Sequence, residues 1–166
     1  VLIIGGGLAG LVNAIVLARA GLDVVLVEKK TYPCHRVCGE YVSNETLPFL
    51  HSLGIRPHDW GAASINHLQV TAPDGTSLEM PLDLGGYGIS RYVFDEKLLK
   101  TAREAGAVCL TGTSVEDVAF DGDGFTVTLS DHTTRRAAYV VGAYGKRAKL
   151  DKQLNRDFVN SRSPYV

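Results

Sequence analysis

The sequence VLIIGGGLAG, from Val1 to Gly10, decides the fold of this 166-residue chain. Its first four residues are apolar, as in a short strand buried in a parallel sheet. Gly5, Gly7 and Gly10 then follow with the spacing G-x-G-x-x-G. Gly5 allows a tight turn, Gly7 lets a pyrophosphate approach the backbone, and Gly10 lets the next helix pack closely on the sheet. Residues 8–20 are predicted to form that helix, whose free N–H groups point at the phosphates.

A second apolar run, at residues 23–27, ends in Glu28, which lies 18 residues after Gly10. That separation is close to the ~20 residues expected for the acid that binds a ribose 2′-hydroxyl. A carboxylate there also repels a 2′-phosphate, which disfavours NADP. Strand, glycine turn, helix and strand together predict an α/β, Rossmann-like FAD/NAD(P)-binding domain with a parallel sheet.

The composition is that of an ordinary globular chain, with 45% hydrophobic and 21% charged residues. The net charge of −1 gives no sign of a nucleic-acid partner or of an anionic membrane surface. No apolar run reaches the ~18 residues of a membrane span. Three cysteines fit a reducing, cytoplasmic location better than a disulfide scaffold. The abrupt start leads us to expect residues missing at the N-terminus.

The middle of the chain is predicted to contain two short helices with a hairpin between them. Residues 44–53 are predicted to form a helix capped by Ser43 or Asn44. Residues 65–82 are predicted to form a hairpin around a Pro-Asp-Gly turn, and the glycines at 85–88 a flexible connection. A further helix is expected over residues 96–105, with Asp95 as its N-cap.

The last third is predicted to be mostly strands. A buried strand is expected at residues 107–110, a hairpin at 114–120 and 125–130, and one strand over 133–141. Such hairpins inside a Rossmann-like frame are unlike a nicotinamide dehydrogenase, which continues with βα repeats.

Four stretches carry a resemblance to a known family, in matching order and spacing over nearly the whole chain. They are GGGLAG at 5–10 with Glu28, HRVCGE at 35–40, ISRYVFDEKL at 89–98, and VVGAYGKRAKLD at 140–151. The chain resembles the N-terminal FAD-binding part of the flavoprotein monooxygenase-like superfamily. That group includes aromatic hydroxylases, halogenases, geranylgeranyl reductases and electron-transfer-flavoprotein dehydrogenases. The run Arg36-Val37-Cys38-Gly39 favours the geranylgeranyl-reductase branch, and the halogenase W-x-W-x-I-P signature is absent.

The resemblance implies a set of residues that contact FAD. They are Gly5, Gly7, Leu8, Ala9 and Gly10 at the pyrophosphate; Glu28 at the adenosine ribose, with Lys29 and Lys30 beside it; Arg36, Cys38 and Gly39 from the pyrophosphate towards the flavin; Arg91 at the cofactor; Val115 at the adenine; and Ala143, Tyr144 and Gly145 in the second glycine motif. Tyr144 stands where the family has Asp, and an aromatic ring cannot make that carboxylate's hydrogen bonds.

The function implied is that of an FAD-dependent oxidoreductase, of reductase or monooxygenase type, acting on a small apolar organic substrate. NAD(P)H as a transient reductant, peripheral membrane association and oligomeric state stay open. The family's downstream G-D-x-x-G motif is not present in this sequence. We therefore expect residues 1–166 to be the N-terminal FAD-binding domain of a longer protein, with part of the substrate domain beginning around 65–90 and the catalytic residues elsewhere.

Two alternatives remain at this point. Cys34 and Cys38 could form the redox pair of a dithiol-disulfide flavoenzyme, although their C-x3-C spacing differs from the C-x4-C of that class. The chain could also be a nicotinamide-binding module without chemistry. Cys34, His35 and Cys38 could ligate zinc, but no second pair completes a site, so no metal is expected.

Overall fold

A computed structural model describes residues 1–145, 150–154 and 156. The chain divides into two compact units, the first made of Val1–Tyr32 and the residues from Leu98 onward, and the second of Pro33–Lys97. The elements, in chain order, are β1 (Leu2–Ile4), α1 (Leu8–Arg19), β2 (Val25–Glu28), β3 (Tyr41–Ser43), a 3-10 turn (Asn44–Thr46), α2 (Leu47–Ser52), a 3-10 turn (Pro57–Trp60), β4 (Ala63–Thr71), β5 (Ser77–Gly88), α3 (Arg91–Glu104), β6 (Val108–Thr111), β7 (Val115–Phe120), β8 (Phe125–Leu129), β9 (Thr134–Ala137), β10 (Val140–Gly142) and α4 (Leu150–Gln153).

The first unit is built on a four-stranded parallel sheet with the order β10-β1-β2-β6. Strand β1 lies in the middle because its three residues, Leu2 to Ile4, are apolar and fully buried. Helix α1 connects β1 to β2 and contacts both strands, burying Leu11, Ala14 and Ile15. The predicted Rossmann-like βαβ unit is therefore confirmed, and the carboxyl ends of β1 and β2 lie side by side.

Successive side chains of β1 and β2 point to opposite faces of the sheet. Leu2, Ile4 and Val27 face a core shared with Val127 and Leu129 of β8. The antiparallel sheet β7-β8-β9 thus covers this face.

The prediction of one strand over residues 133–141 was wrong. Thr134–Ala137 pairs antiparallel with β8, whereas Val140–Gly142 pairs parallel with β1. The backbone N–H of Leu2 donates to the carbonyl of Tyr139, so the chain joins the parallel sheet just after it leaves the hairpin sheet. The two strands are separated by only two residues, Ala138 and Tyr139, and no turn residue such as Gly or Pro marks the division in the sequence.

The second unit contains a three-stranded antiparallel sheet with the order β3-β5-β4. The predicted hairpin is confirmed, with its turn at residues 73–75. The glycines at 85–88 were expected to form a flexible connection, and this was wrong because they belong to β5. Gly86 pairs with Ser43 on one side and Ile65 on the other. A Cβ at Gly86 would overlap the ring of Tyr41, so the absence of a side chain here leaves room for that ring against β5.

The helices of this unit differ from prediction at one important position. Ser43 caps the first turn after β3, as expected, because its hydroxyl accepts the N–H of Glu45. Helix α3 begins at Arg91, five residues before the predicted start, and the expected N-cap Asp95 lies inside it with no exposed surface. Asp95, whose side chain could have capped the helix, is therefore a buried carboxylate within it. Among the described residues, no helix is long and apolar enough to cross a membrane.

Candidate functional site

The glycine turn after β1 is held in shape by two close backbone approaches. Gly5 has φ of +105°, a conformation that favours glycine, and a Cβ there would lie 2.8 Å from the Cα of Tyr144. A Cβ on Gly10 would overlap the carbonyl oxygen of Gly5. The first glycine therefore lets the turn pass the 143–144 segment, and the last lets α1 begin directly against the turn.

Gly7 is different, because a Cβ at this position would meet no atom within 4 Å. Its backbone is extended, and its carbonyl accepts the N–H of Leu11 to start α1. The N–H groups of Leu8, Ala9 and Gly10 lie in the first helical turn, where no intrahelical acceptor exists. Open space, helix N–H groups and a positive helix end are together what a diphosphate requires.

Glu28 is buried at the end of β2, beside the glycine turn. One carboxylate oxygen accepts the N–H of Gly6 at 2.6 Å, and the other accepts the N–H of Lys30 at 2.9 Å. A carboxylate oxygen can accept more than one hydrogen bond, so the group can also bind a hydroxyl. A buried acid with this placement suits the two hydroxyls of an adenosine ribose.

The segment after Glu28 is paired with the loop that leads into β7. The carbonyl of Glu28 accepts the N–H of Thr113, and that of Lys30 accepts the N–H of Gly112. Val115, the first residue of β7, therefore lies two residues beyond a contact with Glu28. The side chains of Lys29 and Lys30 are exposed. The roles predicted for these residues at the adenine and ribose stay predictions.

The second glycine motif lies against the first. The N–H of Ala143 donates to the carbonyl of Ile4, which places residues 143–144 at the carboxyl end of β1. The ring of Tyr144 lies over Gly142 and packs on the core shared by the two sheets. Its hydroxyl donates to Asp151 at 2.8 Å. In the family the residue at position 144 is an Asp, which is itself a carboxylate. Here the Tyr144 hydroxyl instead donates a hydrogen bond to the carboxylate of Asp151.

The predicted residues of the second unit also form a group. Asp95 accepts hydrogen bonds from Arg36, whose Nε is 2.7 Å from Oδ2, and from Arg91, whose Nε and Nη2 are 2.7 and 2.9 Å from Oδ1 and Oδ2. Burial lowers the pKa of Arg91. The hydrogen bonds and negative charge of Asp95, with a smaller contribution from Cys38, outweigh this effect, so the pKa of Arg91 is raised. Arg91 is therefore a permanent cation.

The Cys38-Gly39 pair lies next to this group. The Cys38 side chain contacts Arg91 and accepts the N–H of Glu40 at 3.4 Å. Glu40 in turn accepts the backbone N–H of Arg91 at the start of α3. Gly39 is exposed, and a Cβ added to it would meet no atom within 4 Å. The structure thus brings Arg36, Cys38 and Arg91 together within the second unit.

Sequence reasoning missed three residues that shape these groups. Tyr32 donates its hydroxyl hydrogen bond to the carbonyl of Gly6, so both backbone groups of Gly6 are held. Asp95 was predicted only as a helix cap, and no role was predicted for Asp151. The i,i+4 spacing of Arg91 and Asp95 was the only signal available for any of them.

The three cysteines are free in the structure, with Cys34 and Cys109 partly buried and Cys38 exposed. The described part of the chain contains no group of three or more His, Cys, Asp or Glu side chains that could hold a metal ion.

A sequence profile of the FAD binding domain family matches residues 1–165. The chain belongs to that family. This confirms the resemblance seen in the four sequence stretches and identifies FAD as the cofactor. The open space at Gly7 and the buried acid at Glu28 fit the diphosphate and the ribose of FAD.

Two curated relatives show where this FAD-binding domain stands within its family. The digeranylgeranylglycerophospholipid reductase of Methanosarcina mazei is 34% identical over 167 residues, covering 95% of this chain and 40% of the relative. The menaquinone reductase of Mycobacterium tuberculosis is 31% identical over 165 residues, covering 94% and 40%. The FAD-binding domain therefore spans about 40% of the length of these relatives.

The fold also matches solved flavoenzymes. CmlS, a flavin-dependent halogenase, superimposes with a TM-score of 0.81 and 26% identity, covering 93% of this chain and 30% of that one. The α/β fold with a parallel sheet and inserted hairpins is thereby confirmed.

Proposed function

We propose that the protein carrying this FAD-binding domain is an FAD-dependent reductase of an apolar, isoprenoid-bearing substrate. The observation that carries the proposal is the 31–34% identity to two reductases across nearly the whole domain. Their names denote a quinone and a glycerolipid, and both of these molecules carry long isoprenoid chains. The Arg-Val-Cys-Gly run at residues 36–39, which resembles the geranylgeranyl-reductase branch, also supports the proposal.

The residues of the first unit have binding roles in this proposal. The open backbone at Gly7 and the N–H groups that begin α1 bind the diphosphate, and Glu28 accepts the ribose hydroxyls. Bound FAD supplies the hydride chemistry, and the protein supplies binding and orientation. The same carboxylate favours an unphosphorylated ribose. Arg36, Cys38, Gly39 and Arg91 are proposed to contact the same cofactor.

The second unit is proposed to contain the beginning of the substrate domain, around residues 65–90. Leu68 faces Met80 and Val70 faces Leu78 across β4 and β5, and all four are well exposed. Side chains of one face are thus apolar, as expected for a sheet that packs on further structure or on an apolar ligand. The greater length of the relatives supports this proposal.

The three free cysteines support a reducing location, for which we propose the cytoplasm, with peripheral contact to a membrane that supplies the apolar substrate. The immediate electron donor is proposed to be NAD(P)H, bound only transiently.

One experiment tests the reaction and separates it from oxygenation. The flavin of the protein that carries this domain is reduced anaerobically with NAD(P)H or dithionite, and a geranylgeranyl glycerophospholipid or a menaquinone is then added. A reductase reoxidises its flavin without oxygen and yields a product two hydrogens heavier. Reoxidation only after oxygen is admitted, with an oxygenated product, would instead identify a monooxygenase.

A further inference from the structure

Asp95 is a charged residue with no exposed surface, in the second turn of α3. Both of its carboxylate oxygens accept hydrogen bonds from arginine, one oxygen from Arg91 and the other from both Arg36 and Arg91. Burying a charge in this way is costly unless the charge is well paired. The Asp95 carboxylate is paired on both oxygens, and its two partners are residues that are proposed to contact FAD.

The contacts fix the orientation of both guanidinium groups. Arg91 is held along its Nε–Nη2 edge, one helical turn from Asp95, while its backbone N–H donates to Glu40. Arg36 is held through Nε. Because a guanidinium is planar and rigid, holding one edge also fixes where the remaining N–H groups point. The side chains of Arg36 and Arg91 keep 20% and 13% of their surface exposed, so they can still meet a ligand.

We propose that Asp95 is a positioning residue for the cofactor, which holds Arg36 and Arg91 in the orientation in which they bind FAD. The inference rests on the proposed function, in which these two arginines contact FAD. An arginine side chain loses considerable rotamer freedom when it binds an anion, and fixing it beforehand removes that cost from binding. Paired guanidinium groups are also well suited to phosphate oxygens.

The test compares four single variants of the protein that carries this domain. Asp95→Asn removes the charge with little change of shape, and Glu96→Gln is the matched control, because Glu96 is the next residue on α3 and is exposed. Asp95→Glu keeps the charge but moves the carboxylate, and it remains informative if the Asn variant does not fold. Arg91→Met removes one partner. Each variant is checked by circular dichroism, and FAD affinity is measured by titration well below its melting temperature.

We expect Asp95→Asn to weaken FAD binding about tenfold or more, since charge-assisted hydrogen bonds are affected. Asp95→Glu should also weaken it, and Glu96→Gln should not. In the Arg91→Met background, adding Asp95→Asn should cost much less than it does alone, because Asp95 acts through the arginines.

A merely structural Asp95 would lower the melting temperature and leave the FAD affinity of the folded variants unchanged, which would overturn the inference. So would fully additive losses in the double variant. Failure of the wild-type protein that carries this domain to bind FAD would contradict the proposed function instead, so the two failures are distinguishable.

Discussion

The carboxylate of Glu28 accepts the backbone N–H of Gly6 at 2.6 Å, joining the end of β2 to the glycine turn after β1. The residue proposed to bind the ribose therefore also fixes the backbone proposed to bind the diphosphate. Since the backbone N–H of Lys30 donates to the other carboxylate oxygen, the Glu28 carboxylate joins two backbone segments in a small buried network. Both parts of the proposed dinucleotide site therefore depend on one side chain.

Replacing Glu28 with Gln should reduce both stability and cofactor binding. The amide nitrogen of Gln cannot accept, so either Gly6 or Lys30 would lose its acceptor inside the protein. An unsatisfied buried group costs about 1–3 kcal/mol in the free energy of unfolding. FAD affinity should fall further than that of the control Asp23→Asn, which changes an exposed carboxylate near the start of the same strand. Urea unfolding and FAD titration measure the two effects, and a variant equal to wild type in both would contradict the network.

Gly7→Val should abolish FAD binding while leaving the fold intact. A Cβ at Gly7 would meet no atom within 4 Å, and the extended backbone there accepts any residue. The branched side chain would occupy the space proposed for the diphosphate. Circular dichroism measures whether the fold is kept, and the flavin content after purification with excess FAD measures cofactor binding.

Gly10→Ala is the matched contrast for that experiment. Here even a methyl group overlaps the carbonyl of Gly5, so we expect a loss of about 1–3 kcal/mol in the free energy of unfolding. We propose that Gly7 leaves space for the ligand and that Gly10 is required for packing. Unfolding by Gly7→Val, or unchanged stability in Gly10→Ala, would contradict these two roles.

The first unit could be predicted largely from sequence, because its signals are local. Four apolar residues, a glycine turn and an acid at the end of the next strand predict a βαβ unit. The β4–β5 hairpin of the second unit could also be predicted from sequence, because its Pro-Asp-Gly turn is a local signal too. The division of residues 133–141 between two sheets was not, because both halves are strand-forming and only tertiary pairing separates them.

The second unit was harder to predict for a physical reason. Asp95 is a good helix cap in sequence, but its two arginine partners lie 59 and 4 residues away, so its burial depends on contacts that no local rule describes. The glycines at 85–88 suggested flexibility, whereas the ring of Tyr41 fills the space beside Gly86 that a side chain would need. The hydrogen bond between Tyr144 and Asp151, in the first unit, lies within the 140–151 stretch, but no local rule pairs residues seven apart.

Tyr144 should make stability depend on pH above about 10, the ordinary pKa of tyrosine. Burial raises the pKa of Tyr144, and the hydrogen bond and charge of Asp151 raise it further. The folded state therefore keeps a proton that the unfolded chain releases. Its stabilising effect is complete below the unfolded pKa and is lost as the pH rises through the folded one. Burial raises the pKa of Tyr87 as well, so part of the decline will remain without Tyr144.

Tyr144→Phe tests this relationship. We expect a loss of about 0.5–1.5 kcal/mol at neutral pH, from the missing hydrogen bond to Asp151, and a shallower decline in the alkaline range. Tyr139→Phe is the control, since Tyr139 is exposed. Urea unfolding from pH 7 to about 11 provides the curves. A variant that declines as steeply as wild type would show that Tyr144 does not contribute to the alkaline loss of stability.

The apolar face of the β4–β5 hairpin should bind a hydrophobic dye. Leu68, Val70, Leu78 and Met80 are 42%, 54%, 58% and 39% exposed, and they form two cross-strand pairs on one face. Changing all four to Thr should remove most bis-ANS fluorescence, with a small effect on the free energy of unfolding because exposed positions contribute little. The control changes Gln69 and Glu79, which pair on the opposite face, and should leave dye binding unchanged. Severe destabilisation by the Thr variant would show that this face is packed.

The thiols of Cys34 and Cys38 should take no part in electron storage. Both are free, the C-x3-C spacing differs from that of dithiol flavoenzymes, and the Cys38 side chain is engaged by Arg91 and the Glu40 N–H. We expect Cys34→Ser to leave the flavin properties unchanged and Cys38→Ser to act, through its contact with Arg91, on FAD affinity alone. Anaerobic dithionite titration of the FAD-loaded protein decides the matter. Uptake of two electrons per flavin fits a simple flavoenzyme. Uptake of four, with a thiolate-to-flavin charge-transfer band at the midpoint, would mean that a redox-active disulfide forms between these cysteines after all.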